Sequence, residues 1–276
     1  MKRIGVDIGG TKTAIGIIND KNGKIFEKII IPSKTYTNDI DNLNFIIKNI
    51  LNLSNKNKIN DIGIGVPELI NNKGIIRGNY NFNWNNKNLV NYFPKKLNVI
   101  VDSDVRCHLR AEKYFGIAKK YSNFAYINIG TGISYSQYKD KKIYSGANGY
   151  AIHFASSKIS LYDWKKNKSL SLIPEDYYSG KELIKVMLIK NNIKKNKILN
   201  NISESLASLI GSLINTIDPS QIVLGGGVII NNTYFRKTLI YHIRKYILAD
   251  EVKKISIKTS KLKNDTGLLG AGLLFK

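Results

Sequence analysis

The sequence predicts an α/β protein of two duplicated lobes with a cleft between them. Three observations carry this. Residues 4–16 read as an apolar strand, a glycine turn and a second strand, and residues 124–138 repeat that pattern. A third glycine run, Gly225-Gly226-Gly227, again directly follows a strand-like segment. At 276 residues the chain is long enough for about two lobes, each with its own core.

In the opening segment, Ile4-Gly5-Val6-Asp7 ends on a carboxylate and runs into Gly9-Gly10-Thr11-Lys12. Glycines lacking Cβ let backbone N–H groups come close to an anion, and Thr11 and Lys12 add a hydroxyl and a charge at the same rim. Asp7 stands where a strand-end carboxylate can hold a hydrated divalent cation. A plain Gly-Gly hairpin is the simpler reading of this segment alone.

A strand pair over 2–19 and 24–31 opens the fold, followed by a polar stretch over 32–42. Leu43, Ile46, Ile47, Ile50 and Leu51 recur at helical spacing. Residues 61–66 form a short buried strand ending at Pro67, and 98–101 another that runs into Asp102-Ser103-Asp104. A helix over 109–115 stops at Gly116. Strands over 124–129 and 133–138 flank Gly130-Thr131-Gly132, and Asp140-Lys141 makes the next turn. Between Gly180 and Asn201 lie helical segments with lysine-rich faces. Asn201 with Glu204 has the form of a helix start, leading into the stripe Leu206, Leu209, Ile210, Leu213, Ile214, Ile217 that Pro219 stops. Residues 221–224 read as a strand. Asp265 is expected to cap a last helix over 266–275, whose Gly267, Gly270, Ala271 and Gly272 suit close packing.

Composition excludes some classes. The hydrophobic fraction of 43% is ordinary for a globular chain, and no apolar run approaches the roughly 18 residues of a membrane span. The start, Met1-Lys2-Arg3, does not resemble a signal peptide, so a cytoplasmic location is expected, with no membrane partner. The single cysteine, Cys107, excludes an internal disulfide and any multi-cysteine zinc site; it reads as a small buried hydrophobe. The net charge of +23 fits either a polyanion partner or the drift of a Lys-, Asn- and Ile-rich composition. The lysines occur in scattered groups such as Lys141-Lys142 and Lys194-Lys195, which favours drift; only non-specific nucleic-acid binding at low salt is expected.

One glycine turn is weak evidence, but three of them together with Asp7 and Asp104 resemble the actin-like ATPase (ribonuclease H-like) superfold, and within it the ROK family of sugar kinases. The resemblance covers essentially the whole chain. It includes Gly63-Ile64-Gly65-Val66-Pro67, Asn81-Phe82-Asn83-Trp84, Gly146-Ala147-Asn148-Gly149, Tyr177-Tyr178-Ser179-Gly180, Ile222-Val223-Leu224 before the third turn, and Asp265–Ala271. It implies an N-terminal lobe of residues 1–115 plus 265–276 and a C-terminal lobe of 116–264. It also implies an ATP- and Mg²⁺-dependent kinase of a hexose or hexose-like polyol, often dimeric in the family. Gly9, Gly10, Thr11 and Lys12 would face the β- and γ-phosphates, with Asp7 orienting Mg²⁺. Gly130, Thr131 and Gly132 would close on the phosphates from the other lobe, and Gly225, Gly226 and Gly227 would cradle the adenosine. Asp104 would be the general base, and Asn81, Asn148 and Glu175 would bond sugar hydroxyls.

The departures from the family pattern fall around the acceptor. His153 stands where the family has a sugar-binding Glu, and Ser156 where it has a zinc-binding His; with the cysteine cluster also missing, no zinc site is expected. Ser103 replaces the Asn before the catalytic Asp, and Glu68 the Gly after Pro67. Such changes are expected to alter the acceptor rather than abolish transfer. His153 reads equally as a packed histidine or a substrate contact. His108 and His242 read as surface residues, Asp102 as an ordinary strand-end acid, and Trp84 as part of a substrate loop. The alternatives are a catalytically inactive sugar- or nucleotide-binding protein, a kinase using polyphosphate as donor, and a sugar-sensing regulator. The last is disfavoured because the first strand begins near Ile4, with no room for a helix-turn-helix before it.

Overall fold

A computed structural model describes residues 1–276 as two five-stranded sheets of matching topology. The first contains β1 (Lys2–Ile8), β2 (Lys12–Asn19), β3 (Ile25–Pro32), β4 (Asp61–Val66) and β5 (Asn98–Ser103), with α1 (Asp39–Asn57) between β3 and β4 and α2 (Asp104–Tyr114) after β5. Its order is β3-β2-β1-β4-β5, the first three antiparallel and the last two parallel to β1.

The second sheet contains β6 (Phe124–Ile129), β7 (Ile133–Lys139) and β8 (Lys142–Tyr144). A separate hairpin, β9 (Ile159–Asp163) and β10 (Lys168–Leu172), follows, and then α3 (Glu175–Tyr178), α4 (Gly180–Met187) and α5 (Asn192–Ile217). The chain returns to the sheet as β11 (Gln221–Gly225), passes through α6 (Gly227–Asn231) and α7 (Thr233–Ile243), adds β12 (Ser256–Thr259) and ends in α8 (Thr266–Ala271). The order β12-β11-β6-β7-β8 is an antiparallel meander with two parallel strands on the other side, like the first sheet.

Each sheet has its own core. Leu43, Ile46, Ile50 and Leu53 of α1 pack on Ile4, Val6, Ile15, Ile62 and Ile64. Leu206, Ile210 and Ile214 of α5 and Phe235 and Leu239 of α7 pack on Ile127, Ile222 and Leu224. Strands β1 and β4 are covered on both faces, as their nearly continuous apolar runs require. The glycines in them have a packing reason: a Cβ on Gly5 or Gly63 would strike the backbone of α8. The last helix thus packs against the first sheet. Between the lobes lies α2, whose Val105 and Leu109 share a small core with Phe124, Tyr126, Ile152 and Val223 of the second lobe.

Some boundaries differ from the sequence expectations. Helix α2 begins at Asp104 itself, not Leu109, so Asp104 occupies its first turn. Helix α5 starts at Asn192, capped by the Asn191 side chain on Lys194 N–H at 2.9 Å, and passes through Asn201 unbroken. The Lys194–Lys197 turn is solvated and helix-compatible, so no start is needed at Asn201; Glu204 lies instead 3.7 Å from Lys245. Asp265 makes no capping bond, because its carboxylate pairs with Lys28 at 2.5 Å. The β9–β10 hairpin was not legible in the sequence, since its strands are exposed along their length and bury no face.

Candidate active site

A cavity of about 1060 Å³ lies between the two sheets and is walled by both lobes. Its floor is the C-terminal end of β1 and the start of α2. Asp7 ends the apolar run of β1, and the Gly9–Lys12 turn closes with Gly9 N–H donating to Lys12 O at 3.0 Å. The opposite wall holds the equivalent turn of the second lobe, where Gly130 N–H donates to Gly132 O at 3.0 Å. Gly180 N–H donates to Gly130 O at 2.8 Å and fixes α4 beside that turn. All seven residues of the two turns, Gly9 to Lys12 and Gly130 to Gly132, line the cavity.

The third glycine run divides. Gly226 and Gly227 line the cavity, and Gly226 holds φ +89°, where a side chain would also meet Ile129 O. Gly225 is not on the wall; it is buried under Tyr126, whose ring leaves no space for a Cβ. Its expected nucleotide contact is therefore replaced by a packing role.

Asp104 lies in the cleft at the first turn of α2. Its Oδ1 accepts Val105 N–H at 2.6 Å and lies 3.4 Å from Ser103 Oγ, which also lines the cleft. Burial pushes its pKa up to about 6; the Asp7 carboxylate adds to the rise, while His108 opposes it. Burial likewise raises Asp7, opposed by His108 and Lys28. A carboxyl poised near 6 is ionised at neutral pH yet basic enough to accept a proton from an alcohol.

His108 is the residue that sequence reasoning misplaced. It lines the cleft, its ring 5.3 Å from that of Tyr126, and its buried Nδ1 has no hydrogen-bond partner. It follows Asp104 by four residues, so once the helix is known to begin at 104 the two share a face. The spacing was the available signal. His242 is not a surface residue either: it is 4% exposed, with Nε2 3.0 Å from Asn200 Oδ1.

The end of the cleft at Glu175 and His153 is a linked network. Glu175, in the first turn of α3, receives Ile133 N–H on Oε1 and Ser156 Oγ–H on Oε2, both at 2.5 Å. Ser156 Oγ is also 3.0 Å from His153 Nδ1. With the serine proton given to Glu175, Nδ1 carries the histidine proton and Nε2 is left as an acceptor. Burial lowers the His153 pKa against the pull of Glu175, which keeps the ring neutral at pH 7. Both His153 and Glu175 line the cleft.

Across from them, Glu68 is 2% exposed and its carboxylate clamps the next loop. It accepts Tyr80 N–H at 3.0 Å, Asn81 N–H at 2.6 Å and Phe82 N–H at 3.0 Å. Asn81 lines the cleft; its Nδ2 donates to Pro67 O at 2.8 Å, and its Oδ1 lies 2.8 Å from where a Cβ on Gly10 would stand. Trp84 departs from expectation: it is fully buried, stacked on Phe82 at 4.1 Å, with Nε1 donating to Asp39 O at 2.9 Å. It anchors the loop from beneath and touches no part of the cleft.

Asn148 is exposed and lies off the cavity wall. Its loop is drawn outward because Gly149, at φ +89°, packs on the Ile70–Asn71 backbone and its carbonyl receives Arg106 Nη1 at 2.8 Å. Arg106 is oriented by Asp102 through Nε at 2.5 Å, so Asp102 holds this junction together. Cys107 is buried, and burial pushes its thiol well up, as an inert apolar residue requires.

Whether these residues suit Mg²⁺ can be judged from Asp7. Its carboxylate is buried at the cleft wall, and none of the influences on its charge is a hydrogen bond from the protein. No cluster of three metal-ligating side chains stands with it. That donor set suits a cation that keeps its waters and binds chiefly to phosphate, and does not suit an all-protein cage.

A family model described as "ROK family" matches residues 3–159 and 155–276. A glucokinase of Thermotoga maritima is 23% identical over 100% of this chain and 98% of its own length. A beta-glucoside kinase of Listeria innocua is 24% identical over 98% of this chain and 96% of its own. A crystal structure of a ROK family glucokinase from Streptomyces griseus, in complex with glucose and AMPPNP, superposes with a TM-score of 0.84 at 19% identity, covering 99% of this chain and 98% of that one. The duplicated sheets are therefore those of the actin-like ATPase fold, and the chain belongs to the ROK family.

Proposed function

We propose that this protein transfers the γ-phosphoryl group of ATP to a hydroxyl of a hexose or hexose-like polyol. The observation that carries the reading is the position of Asp104: a half-buried carboxylate lining a cleft whose two walls present equivalent glycine turns. The relatives named glucokinase and beta-glucoside kinase support the same class of reaction. Backbone amides of Gly9–Lys12 and Gly130–Gly132 would bind the phosphates from the two lobes, with Lys12 and Lys28 adding charge at the rim. Gly226 and Gly227 would border the nucleoside. Asp7 would hold Mg²⁺ through water; when bound, the ion neutralises charge on the phosphates. Asp104 takes the proton from the acceptor hydroxyl as its oxygen attacks, and the walls exclude the water that would compete.

Residues 1–115 with 265–276 would move as one lobe and 116–264 as the other. At the acceptor end, neutral His153 Nε2 would accept a hydrogen bond from a hydroxyl without adding negative charge, in the place of the family's glutamate. Glu175 keeps lone pairs beyond the two bonds it receives. Asn81 Oδ1 completes a set of acceptors, which suits a substrate rich in O–H donors.

A coupled assay with Mg·ATP against a panel of hexoses, amino sugars, glucosides and cyclitols tests this, with Asp104→Asn as the control. Turnover abolished by that change supports the reading; none on any acceptor overturns it. The second reading, a ligand-binding protein without transfer, rests on one observation: the Ser156 and Ile133 donors already engage the Glu175 carboxylate. A relative named xylose repressor, from Bacillus spizizenii, is 26% identical over 82% of this chain and 64% of its own length. Saturable sugar binding without product would favour it. A parallel arm with polyphosphate identifies the donor.

A further inference from the structure

Helix α2 carries Asp104 in its first turn and Arg110, Lys113 and Tyr114 in its last turns. That far end faces the turn between β7 and β8 of the other lobe, and between them is a second cavity of about 340 Å³. The volume falls in the range of about 300–1,000 Å³ usual for small-ligand sites. Cations reach it from three parts of the chain: Arg110 and Lys113 from α2, Lys141 and Lys142 from the turn, and Lys276 from beyond α8. Tyr114, Tyr138 and Ile143 complete the wall, and no aspartate or glutamate is part of it.

These cations are placed by the fold. Lys113 Nζ donates to Lys119 O at 2.9 Å and Tyr121 O at 2.8 Å, and lies 4.9 Å from the Tyr138 ring centre. Lys276 Nζ lies 4.6 Å from the centre of the Tyr114 ring. Asp140 and Lys141 adopt φ of +51° and +61°, a tight turn that sets Lys141 and Lys142 at the rim. Their ammonium groups form no ion pair within the protein, and Arg110 has one, to Asp102 at 3.5 Å through Nη2. Arg110 Nε is buried with no hydrogen-bond partner. Its guanidinium therefore keeps donor capacity that the protein itself does not use. Asp102 faces Arg110, and Asp20 lies near Lys276, whose Nζ donates to Asp20 O at 3.1 Å; Lys113, Lys141 and Lys142 are left without an ion pair, a surplus that a singly charged ligand would not neutralise.

We infer that this cavity binds a small anion bearing two or more phosphoryl groups, held between the lobes at the opposite end of α2 from Asp104. A single-stranded nucleic acid calls for a basic groove along a backbone with stacking platforms, whereas these cations converge on one hollow. The inference is independent of the kinase reading.

The test is calorimetric titration with inorganic tripolyphosphate of three proteins: the wild type, Lys141→Asn/Lys142→Ala, and the control Lys194→Ala/Lys195→Ala. Asparagine tolerates the left-handed backbone at 141, and circular dichroism and thermal melts check that all three fold alike. Any triphosphate taken up by the main cleft contributes equally to each, so the difference isolates the second cavity. The expected result is one saturable site in the wild type and the control, weakened at least tenfold in the cavity pair, with orthophosphate competing at least tenfold less well. Equal binding in all three proteins overturns the inference. So does equal weakening by both lysine pairs, which would mean non-specific polyanion binding. Tighter binding of a short single-stranded oligonucleotide that depends on Lys141 and Lys142 would replace the proposed ligand with nucleic acid.

Discussion

The two ends of the main cleft are built on different principles. At the end proposed to bind phosphate the groups on offer are backbone amides in two equivalent turns, Gly9–Lys12 and Gly130–Gly132, and their geometry follows from the duplicated strand–turn–strand unit. At the acceptor end they are side chains drawn from unrelated segments: His153 and Ser156 from a loop, Glu175 from α3, and Asn81 from a loop clamped by Glu68. A backbone site is fixed once the fold is fixed. A side-chain site can be rebuilt one residue at a time while the phosphate end is left alone, which is how one fold serves several acceptors.

Asp104 joins the two ends, and its removal should have the largest effect. Asp104→Asn is expected to lower kcat by about 10²–10⁴-fold, the usual size of general-base catalysis, with little change in ATP binding. A loss under tenfold would break the assignment. The same change should raise the thermal midpoint of the ligand-free protein at pH 7.5. A carboxylate raised to about 6 in the folded state disfavours folding while ionised, so stability increases as pH falls from 7 toward 5, and the asparagine variant should lose that slope. In the wild type, kcat/KM should decline below a pH of about 6 as the base is protonated. An acid limb near 4 would mean that burial does not govern this group.

The acceptor end is probed next. His153→Glu restores the family's glutamate and is expected to change the ratio of kcat/KM between acceptors by tenfold or more, leaving the KM for ATP within about twofold. Equal effects on both substrates would show that the two ends are not separable. Glu68→Gln replaces an acceptor of three N–H groups with a group that turns a donor toward one of them. It should cost about 1–3 kcal/mol of stability and raise the acceptor KM, measured by thermal melts and steady-state kinetics. The smallest change is Trp84→Phe, which keeps the stacking on Phe82 but leaves Asp39 O without its indole donor. About 1 kcal/mol of lost stability with unaltered acceptor ranking is expected; an altered ranking would return Trp84 to the substrate loop.

Where sequence reasoning failed, burial or chain path had the deciding role. The family resemblance implies a sugar contact for Asn81 and Asn148 alike. Asn81 reaches the cleft because Glu68 holds its loop by three amides, whereas Asn148 is carried outward by the docking of Gly149 on Ile70–Asn71. The basic, helix-like surroundings of His108 suggest a surface position, but α2 begins at Asp104 and turns it into the cleft. Gly225 and Gly226 are adjacent and identical in type, yet one faces Tyr126 and the other the cleft.

The amino-acid sequence determined the architecture: short apolar strand runs, glycines that turns or close helix packing require, and a repeated strand–turn–strand unit that builds two sheets. Those signals are local, set by neighbours a few residues apart. What only the tertiary structure decided is which side chains meet. The Glu175–Ser156–His153 chain, the placing of His108 and Asp104 near Asp7, and the gathering of Lys113, Lys141 and Lys142 on one hollow join residues that are distant in sequence or separated by turns. Their positions follow from how the lobes pack around α2, which no short stretch of sequence encodes.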